Sequence, residues 1–181
     1  MKLVILGMPG AGKGTVAAYL ERKFGWRHIS TGDVLRTEVA NESSLGKRVK
    51  NILESGKLVD DSLMTEIVKK AIEPLTSGFV LDGYPRTLRQ CELLTSVTDL
   101  SKVIYLYVEQ EVAIERLLNR SHSASVRRSD DTKQVIIERL ALFQANNQAI
   151  LDYYGRLNLL VKINGTASIE TVHATVSRLL S

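Results

Sequence analysis

GMPGAGKGT, at Gly7–Thr15, stands between an apolar run, KLVIL at 2–6, and a helical pattern, TVAAYLERKF at 15–24. A strand, a glycine-rich turn and a helix in this order form the context of a phosphate-binding loop. Glycines let successive backbone N–H groups point into one concavity, and the helix N-terminus adds a partial positive charge. The stretch therefore predicts a nucleotide site in which Lys13 reaches the β- and γ-phosphates. The alternative, a tight turn that merely needs glycine, gives no reason for Pro9 or Lys13.

One position of this loop departs from the usual pattern G-x-x-x-x-G-K-[ST]. The last position normally carries a hydroxyl group that holds magnesium, whereas here it is Gly14, followed by Thr15. Carboxylates that hold water ligands of Mg²⁺ would replace the hydroxyl. The candidates are Asp82, at the end of a buried run, and Asp33, after STG. Asp82 is alternatively a cap for the next segment, and Asp33 an ordinary acid in the first turn of a helix.

Short runs rich in apolar and β-branched residues alternate with helical patterns along the chain. The runs do not alternate polar with apolar residues, which is typical of parallel strands buried on both faces. The pattern predicts an α/β fold with a five-stranded parallel sheet, helices on both faces and right-handed crossovers. The predicted strands are at 2–6, 27–30, 79–82, 102–108 and 159–163, and the predicted helices at 13–24, 32–41, 61–73, 87–97, 111–120, 132–154 and 168–180.

We expect one domain in which two segments interrupt the alternation. Helical patterns without a strand occupy 30–60, which predicts a small helical excursion. The sequence SHSASVRRSDD at 121–131 is polar and without periodicity, which predicts an exposed loop. The core is then expected at 1–29, 61–120 and 132–181.

Composition narrows the class of protein. The chain has 181 residues, of which 44% are hydrophobic and 24% charged, as one globular domain requires. The formal charge of +4 favours anionic partners, but 6% aromatic residues and no long basic run argue against nucleic acid.

A sole cysteine, Cys91, excludes an intrachain disulfide and a multi-cysteine zinc site, and fits a reducing compartment. The first apolar run is too short for a signal peptide, and no run approaches the ~18 residues of a membrane span. We therefore expect a soluble, cytoplasmic protein without a membrane partner.

Several motifs taken together resemble the adenylate kinases. The phosphate loop is similar to that family's G-x-P-G-x-G-K-G-T, in which glycine at the place of Gly14 is normal. Further similar motifs follow in the family's order and spacing. They are STGDVLR at 30–36, GKLVDD at 56–61, FVLDGYPRT with Gln90 at 79–90, ERLLNR at 115–120, RSDD at 128–131, ERL with Arg139, YY at 153–154 and INGT at 163–166.

The resemblance implies a P-loop NTPase fold and a reaction. The reaction is reversible phosphoryl transfer from Mg·ATP to AMP, which gives two ADP. Asp33 and Asp82 would contact the Mg²⁺ through water. Residues 30–60 would bind the monophosphate, and 121–131 would form a short lid that lacks the cysteines of zinc-binding long lids. A monomer is expected, because no large apolar surface repeat is evident.

The resemblance also implies roles for individual residues. Planar, permanently charged guanidinium groups hold phosphate oxygens in pairs, which suits this chemistry. The residues expected to carry the transfer are Lys13, Arg86, Arg120, Arg128 and Arg139. Those expected to bind ATP are Gly10, Ala11, Gly12, Lys13, Gly14, Thr15, Arg116, Arg120 and Gly165. Those expected to bind AMP are Thr31, Arg36, Lys57, Leu58, Val59, Gly83, Tyr84, Pro85, Arg86, Gln90, Arg128 and Arg139.

Two other functions remain open at this point. A UMP/CMP kinase would share the fold, but such enzymes tend to have alanine at the place of Thr31 and asparagine at the places of Thr87 and Gln90. A non-catalytic ATP-binding scaffold would be favoured by loss of the arginines, which are present. For any single arginine, a solvated or ion-paired surface position is the alternative.

Overall fold

The computed structural model describes residues 1–122 and 132–180. In these ranges five parallel strands form one sheet in the order β2-β3-β1-β4-β5. The strands are β1 (Lys2–Leu6), β2 (Arg27–Ser30), β3 (Phe79–Asp82), β4 (Lys102–Tyr107) and β5 (Leu160–Asn164). The predicted five-stranded parallel sheet is confirmed, with β4 one residue shorter at its end and β5 shifted by one residue.

Helices fill the connections between the strands. They are α1 (Lys13–Phe24), α2 (Thr31–Ala40), α3 (Ser44–Glu54), α4 (Asp61–Ile72), α5 (Leu88–Val97), α6 (Gln110–His122), α7 (Lys133–Arg156) and α8 (Ile169–Leu180). Ser168 Oγ accepts from the Thr171 N–H before α8, as an early-turn residue should. None of these helices is both long enough and apolar enough to span a membrane.

Successive residues of the central strand β1 pack alternately into two hydrophobic cores. Leu3 and Ile5 pack with residues of α1, α6 and α8 on one face of the sheet. Val4 and Leu6 pack on the other face with residues of α2, α3, α4, α5 and α7. The period of two along a strand explains this division, since neighbouring side chains point to opposite faces. Helices on both faces bury Leu3–Leu6 of β1, which accounts for the apolar run after the exposed Lys2.

Helices α2 and α3 form the excursion between β2 and α4. A serine directly before each helix accepts a first-turn N–H with its side chain: Ser30 Oγ accepts from Asp33, and Ser43 Oγ accepts from Gly46. A Cβ atom on Gly46 would overlap the backbone carbonyl of Glu38, so the two helices touch through this glycine. Close backbone contact therefore fixes the position of α3 against α2.

Candidate active site

A cavity of about 650 Å³ opens at the carboxyl ends of the strands. Its wall combines the β1–α1 loop, the start of α2, the α3–α4 connection, the segment after β3, and one face each of α6 and α7. Ligands of open parallel sheets bind at this edge, because the loops after the strands converge there. Residues far apart in the sequence thus face one common cavity.

Gly10 and Gly12 of the phosphate loop both have a backbone conformation that favours glycine. Gly10 has φ 89°, and a Cβ atom there would overlap the backbone carbonyl of Ala113 on α6. Gly12 has φ 92° and is the N-cap of α1, where no side chain caps the helix. The N-terminus of α1 consequently faces the cavity with its backbone donors and partial positive charge, an arrangement that favours anions.

Lys13 is held inside the loop. Its Nζ donates to the carbonyl oxygens of Gly7 at 2.8 Å and Met8 at 3.0 Å. The ammonium group therefore lies in the curve of the loop, beside the N-terminus of α1. This is the position from which a lysine contacts the terminal phosphates of a bound nucleotide.

Asp82 ends β3 within the cavity, beside His28 and near the charges of Lys13 and Arg86. His28 Nε2 lies 3.6 Å from Asp82 Oδ2, and both side chains are largely buried. Burial alone would raise the pKa of Asp82, but the neighbouring imidazole of His28 and the charges of Lys13 and Arg86 outweigh burial and hold the pKa below its ordinary value. The carboxylate is therefore ionised at neutral pH.

The acidic residues fit a magnesium ion that is bound largely by other ligands. Asp33 and Asp82 both line the cavity. Within 1–122 and 132–180 no group of three or more histidine, cysteine or acidic residues forms a metal cage. Two carboxylates beside a phosphate loop suit Mg²⁺, which keeps several waters and takes its remaining ligands from phosphates.

The first turn of α2 places a carboxylate and a guanidinium group together. Arg36 forms an ion pair with Asp33, one turn away on the same helix. Ser30, and not Thr31, is the N-cap of this helix. Thr31 is 2% exposed, and its hydroxyl donates to the Asp82 carbonyl oxygen at 3.3 Å. Thr31 therefore does not cap α2 but ties this helix to the end of β3.

The segment after β3 carries a second guanidinium group. Arg86 Nε donates to the Gly83 carbonyl oxygen at 2.7 Å, which folds the exposed side chain back over the turn. The Arg86 N–H donates to Gln90 Oε1 at 2.7 Å. Gln90 is 2% exposed and also donates from Nε2 to Asp61 Oδ1 at 2.8 Å. Both ends of this buried amide thus have partners.

The remaining arginines are on α6 and α7. Arg116 lines the cavity and donates from a guanidinium nitrogen to the Gly165 carbonyl oxygen at 2.9 Å, which joins α6 to the turn after β5. Arg139 lines the cavity from α7. Arg120 belongs to α6, but its side chain is outside what the structure describes, and Arg128 lies outside the described residues.

Most of the predicted site residues meet at this cavity. Ala11 does not line it, because its side chain is 2% exposed in the core, and Gly165 contributes through its bond to Arg116. The predicted residues that line the cavity are Gly10, Gly12, Lys13, Gly14, Thr15, Thr31, Asp33, Arg36, Lys57, Leu58, Val59, Asp82, Gly83, Tyr84, Pro85, Arg86, Gln90, Arg116 and Arg139.

Sequence reasoning missed the contribution of α7 beyond Arg139. Phe143, Asn146 and Asn147 also line the cavity. They lie four, seven and eight residues after Arg139, so they share its helix face. This spacing could have predicted them, because residues one and two helical turns after an arginine that faces a site face the same site. His28 was missed as well, and no local pattern distinguished it.

Comparison with known proteins gives one consistent family. The adenylate kinase family model matches residues 5–159. An adenylate kinase of Prochlorococcus marinus (strain MIT 9515) is 42% identical over 175 residues, which cover 94% of this chain and 93% of the relative. One of Prochlorococcus marinus subsp. pastoris is 40% identical over 181 residues, covering 97% and 95%. One of Brucella ovis is 37% identical over 191 residues, covering 99% and 98%.

Proposed function

The chain belongs to the adenylate kinase family, which converts ATP and AMP into two ADP, and on that premise we propose a division of work within the cavity. The enzyme is an ATP:AMP phosphotransferase. The observation that carries the proposal is that the phosphate loop lines the same cavity as a separate pair of arginines, Arg36 and Arg86. One cavity with two separate anion sites fits two nucleotides whose phosphates must meet.

ATP binds at the loop side of the cavity. The N-terminus of α1 and Lys13 hold its β- and γ-phosphates, with Thr15 beside them. The adenine lies against Arg116 and the turn at Gly165, whose hydrogen bond ties α6 to the end of β5. Cation–π contact between a guanidinium group and a base supports this placement of Arg116.

AMP binds on the opposite wall. Arg36 and Arg86 hold its phosphate through charge-assisted hydrogen bonds. Its base lies among Thr31, Val59 and Gln90, near the backbone of Lys57, Leu58 and Gly83–Pro85. Residues 30–60 would act as the AMP-binding unit of the domain. The polar edge of Gln90 within an otherwise enclosed wall is the feature that would select a base.

The transfer itself needs positioning and charge. The γ-phosphoryl group passes in line between two oxygens that both bear charge, so cations around it lower the barrier. Lys13, Arg86 and Arg139 supply this charge from described positions, and we assign the same role to Arg120 and Arg128. No side-chain nucleophile is required. Cys91 fits that view, because burial raises the pKa of its thiol to about 12 and its side chain is fully buried.

Magnesium would enter the cavity with ATP. Asp82 and Asp33 are the residues that would hold its water ligands, and the ion would neutralise part of the phosphate charge. The depressed pKa of Asp82 supports this role, since the carboxylate keeps its negative charge at neutral pH. Gly14 leaves the space beside that carboxylate open.

We further propose a cytoplasmic monomer. The large apolar side chains that are exposed in the described residues are distributed along the chain and do not share one helix or strand, as in a protein without an obligate partner. They are Met1, Leu88, Tyr107, Leu118, Ile137, Leu157 and Ile169. The buried thiol of Cys91 and the use of ATP are consistent with a reducing, nucleotide-rich compartment.

A coupled assay for ADP tests the function directly. Mg·ATP is supplied with AMP, UMP, CMP or GMP in separate reactions. Turnover with AMP far above that with the others is expected. Turnover mainly with UMP or CMP would keep the transfer mechanism and overturn the base-site assignment. ATP binding without turnover of any monophosphate would support the scaffold alternative instead.

A further inference from the structure

The side-chain amide of Gln90 is fixed in one orientation by two groups of opposite kind. The Arg86 backbone N–H, a donor, lies 2.7 Å from Oε1, and the Asp61 carboxylate, an acceptor, lies 2.8 Å from Nε2. Rotating the amide by half a turn would bring Nε2 against a donor and Oε1 against a carboxylate. Because Gln90 is 2% exposed, water cannot relieve either conflict. Only one orientation therefore satisfies both neighbours.

Asp61 is itself held in place. It lies in the first turn of α4, and its Oδ2 accepts from Thr87 Oγ1 at 3.1 Å. The same Thr87 oxygen accepts from the Gln90 N–H at 3.0 Å and so caps α5. The two oxygens of one carboxylate thus engage two residues of the α5 N-terminus, which leaves Asp61 little freedom to turn away from Gln90.

The hydroxyl groups of Thr65 and Tyr84 form a second link between Asp61 and Gln90, through the backbone carbonyl groups of these two residues. Thr65 Oγ1 lies 2.7 Å from both the Asp61 carbonyl oxygen and the Tyr84 hydroxyl. The Tyr84 hydroxyl in turn donates to the Gln90 carbonyl oxygen at 3.2 Å. These bonds tie α4, α5 and the segment after β3 into one unit. A network in which every member has partners is rigid and specifies a single arrangement.

Within residues 1–122 and 132–180, the fixed amide keeps one donor and one acceptor that no protein group engages. Nε2 carries a second N–H, and Oε1 has a second lone pair. The proposed function, on which this step rests, places the AMP base at Gln90. The second N–H of Nε2 and the second lone pair of Oε1 then face the base in a fixed order. Adenine offers an amino donor beside a ring-nitrogen acceptor. Hypoxanthine has the same shape but offers a carbonyl acceptor beside a ring N–H donor, which is the reverse order.

We propose that Asp61 is a specificity-determining positioning residue that fixes the Gln90 amide in the order required by adenine and so rejects 6-oxopurine monophosphates. A glutamine amide that could rotate freely would form hydrogen bonds with the edge of either adenine or hypoxanthine. Asp61 does not line the cavity, so it acts only through Gln90. Sites that hold a polar group in a fixed order discriminate strongly, because the wrong base leaves buried groups unpaired.

The test compares kcat/KM for AMP with kcat/KM for IMP, each with saturating Mg·ATP. In Asp61→Asn the neighbour of Gln90 can either accept or donate, so only the Arg86 N–H still opposes the reversed amide, and the reversed orientation costs less. The AMP-to-IMP ratio is expected to fall by about tenfold or more. The matched control is Asp60→Asn, which removes the same charge one residue earlier at the α4 N-cap, where asparagine still caps. Its ratio is expected to equal that of the unaltered protein.

The ratio separates this role from a structural one. Both substrates are measured on one preparation, so partial unfolding of a variant lowers both values equally and cancels. An Asp61→Asn ratio equal to that of the unaltered protein would overturn the proposal, as would unaltered protein that uses IMP as well as AMP. Asp61→Ala, which cannot accept at all, is expected to lower the ratio as well, and an unchanged ratio there counts against the proposal.

Gln90→Ala distinguishes failure of this inference from failure of the proposed function. If Gln90→Ala lowers the ratio but Asp61→Asn does not, Gln90 reads the base without help from Asp61, and only this inference is wrong. If Gln90→Ala leaves the ratio unchanged, Gln90 does not read the base, and the base-site assignment fails together with the inference. Absence of AMP turnover in the unaltered protein would refute the function itself.

Discussion

Gly14 and Asp82 lie against each other: a Cβ atom on Gly14 would be 3.5 Å from Asp82 Oδ2. Gly14 stands where a phosphate loop usually has its metal-binding hydroxyl. A carboxylate from the end of β3 therefore faces the place from which the hydroxyl is missing. In the proposed site, Asp82 at the end of β3 would hold Mg²⁺ through a water molecule, because Gly14 has no hydroxyl group that could bind the ion directly.

Gly14→Ala tests this relationship. The methyl group would fit at ordinary contact distance, and alanine stabilises a helix relative to glycine, so the melting temperature is expected to stay or rise. The methyl group would cover Asp82 Oδ2 and exclude a water there, so kcat with Mg·ATP is expected to fall about tenfold. Gly155→Ala on α7, where nothing lies within 4 Å of the added atom, is the control and should keep full kcat. Equal kcat in the two variants would refute the proposed use of this space.

Arg86→Ala is expected to keep the fold and lose most AMP affinity. The side chain is exposed and its Nε donates to the Gly83 carbonyl oxygen of a neighbouring turn, so its removal leaves the hydrophobic cores intact. Loss of charge-assisted bonds to a phosphate should raise the KM for AMP by roughly 10- to 100-fold and leave the KM for ATP nearly unchanged. Steady-state kinetics with each nucleotide varied in turn make the measurement. An unchanged KM for AMP would mean that the second anion site lies elsewhere.

Gly46→Ala probes the excursion formed by α2 and α3. The added methyl group would overlap the Glu38 backbone carbonyl, which cannot move as a flexible side chain can. The helices must separate, at a cost of about 1–3 kcal/mol in the free energy of unfolding. Because Arg36 is on α2, the KM for AMP should rise while the KM for ATP changes less. Urea unfolding and kinetics on the same variant decide the point, and unaltered values in both would show that the contact is unimportant.

His173 is expected to make stability depend on pH. Its ring stacks on Tyr19, with 4.0 Å between the centroids. Burial and the charge of Arg22 lower the pKa of His173, and they outweigh the opposing effects of the Thr15 backbone and Glu170. The unfolded chain therefore takes up this proton at a higher pH than the folded chain does. Stability should fall as the pH drops below about 6.5 toward the folded pKa.

The measurement for His173 is urea unfolding at about pH 7.5 and pH 5.5. His173→Phe retains a ring for stacking and cannot titrate, so it should lose less stability than the unaltered protein over this interval. His28 and His122 are present in both proteins, so the difference between the two isolates His173. An identical loss in both proteins would contradict the assignment.

Cys91 should be inert in the folded protein. Its side chain is fully buried, and burial raises the pKa of the thiol to about 12, so thiolate is scarce at neutral pH. A thiol reagent such as DTNB is expected to react only at the rate of unfolding, and the reaction should become fast in denaturant. Rapid labelling of native protein would place the thiol nearer the surface than the fold does.

The sequence alone determined the features that depend on neighbours in the chain. The phosphate loop, the strands at 2–6, 27–30 and 79–82, and the helical nature of 30–60 follow from patterns within a few residues, because backbone conformation and burial period are local properties. Lys13 could be placed for the same reason, since the loop and the start of α1 fix it. The remaining predicted site residues followed from the resemblance of motifs to a family, and the structure gathers nearly all of those it describes at one cavity.

The tertiary structure alone decided which distant groups face each other. Gln90 and Asp61 are 29 residues apart and belong to different helices, yet their hydrogen bond fixes the amide. His28 and Asp82 come from adjacent strands, and the strand order that pairs them cannot be read from either segment. The lowered pKa of Asp82 depends on charges from three separate parts of the chain. Such relations arise from packing, because only the assembled sheet and helices bring these side chains within a few ångströms and remove the water between them.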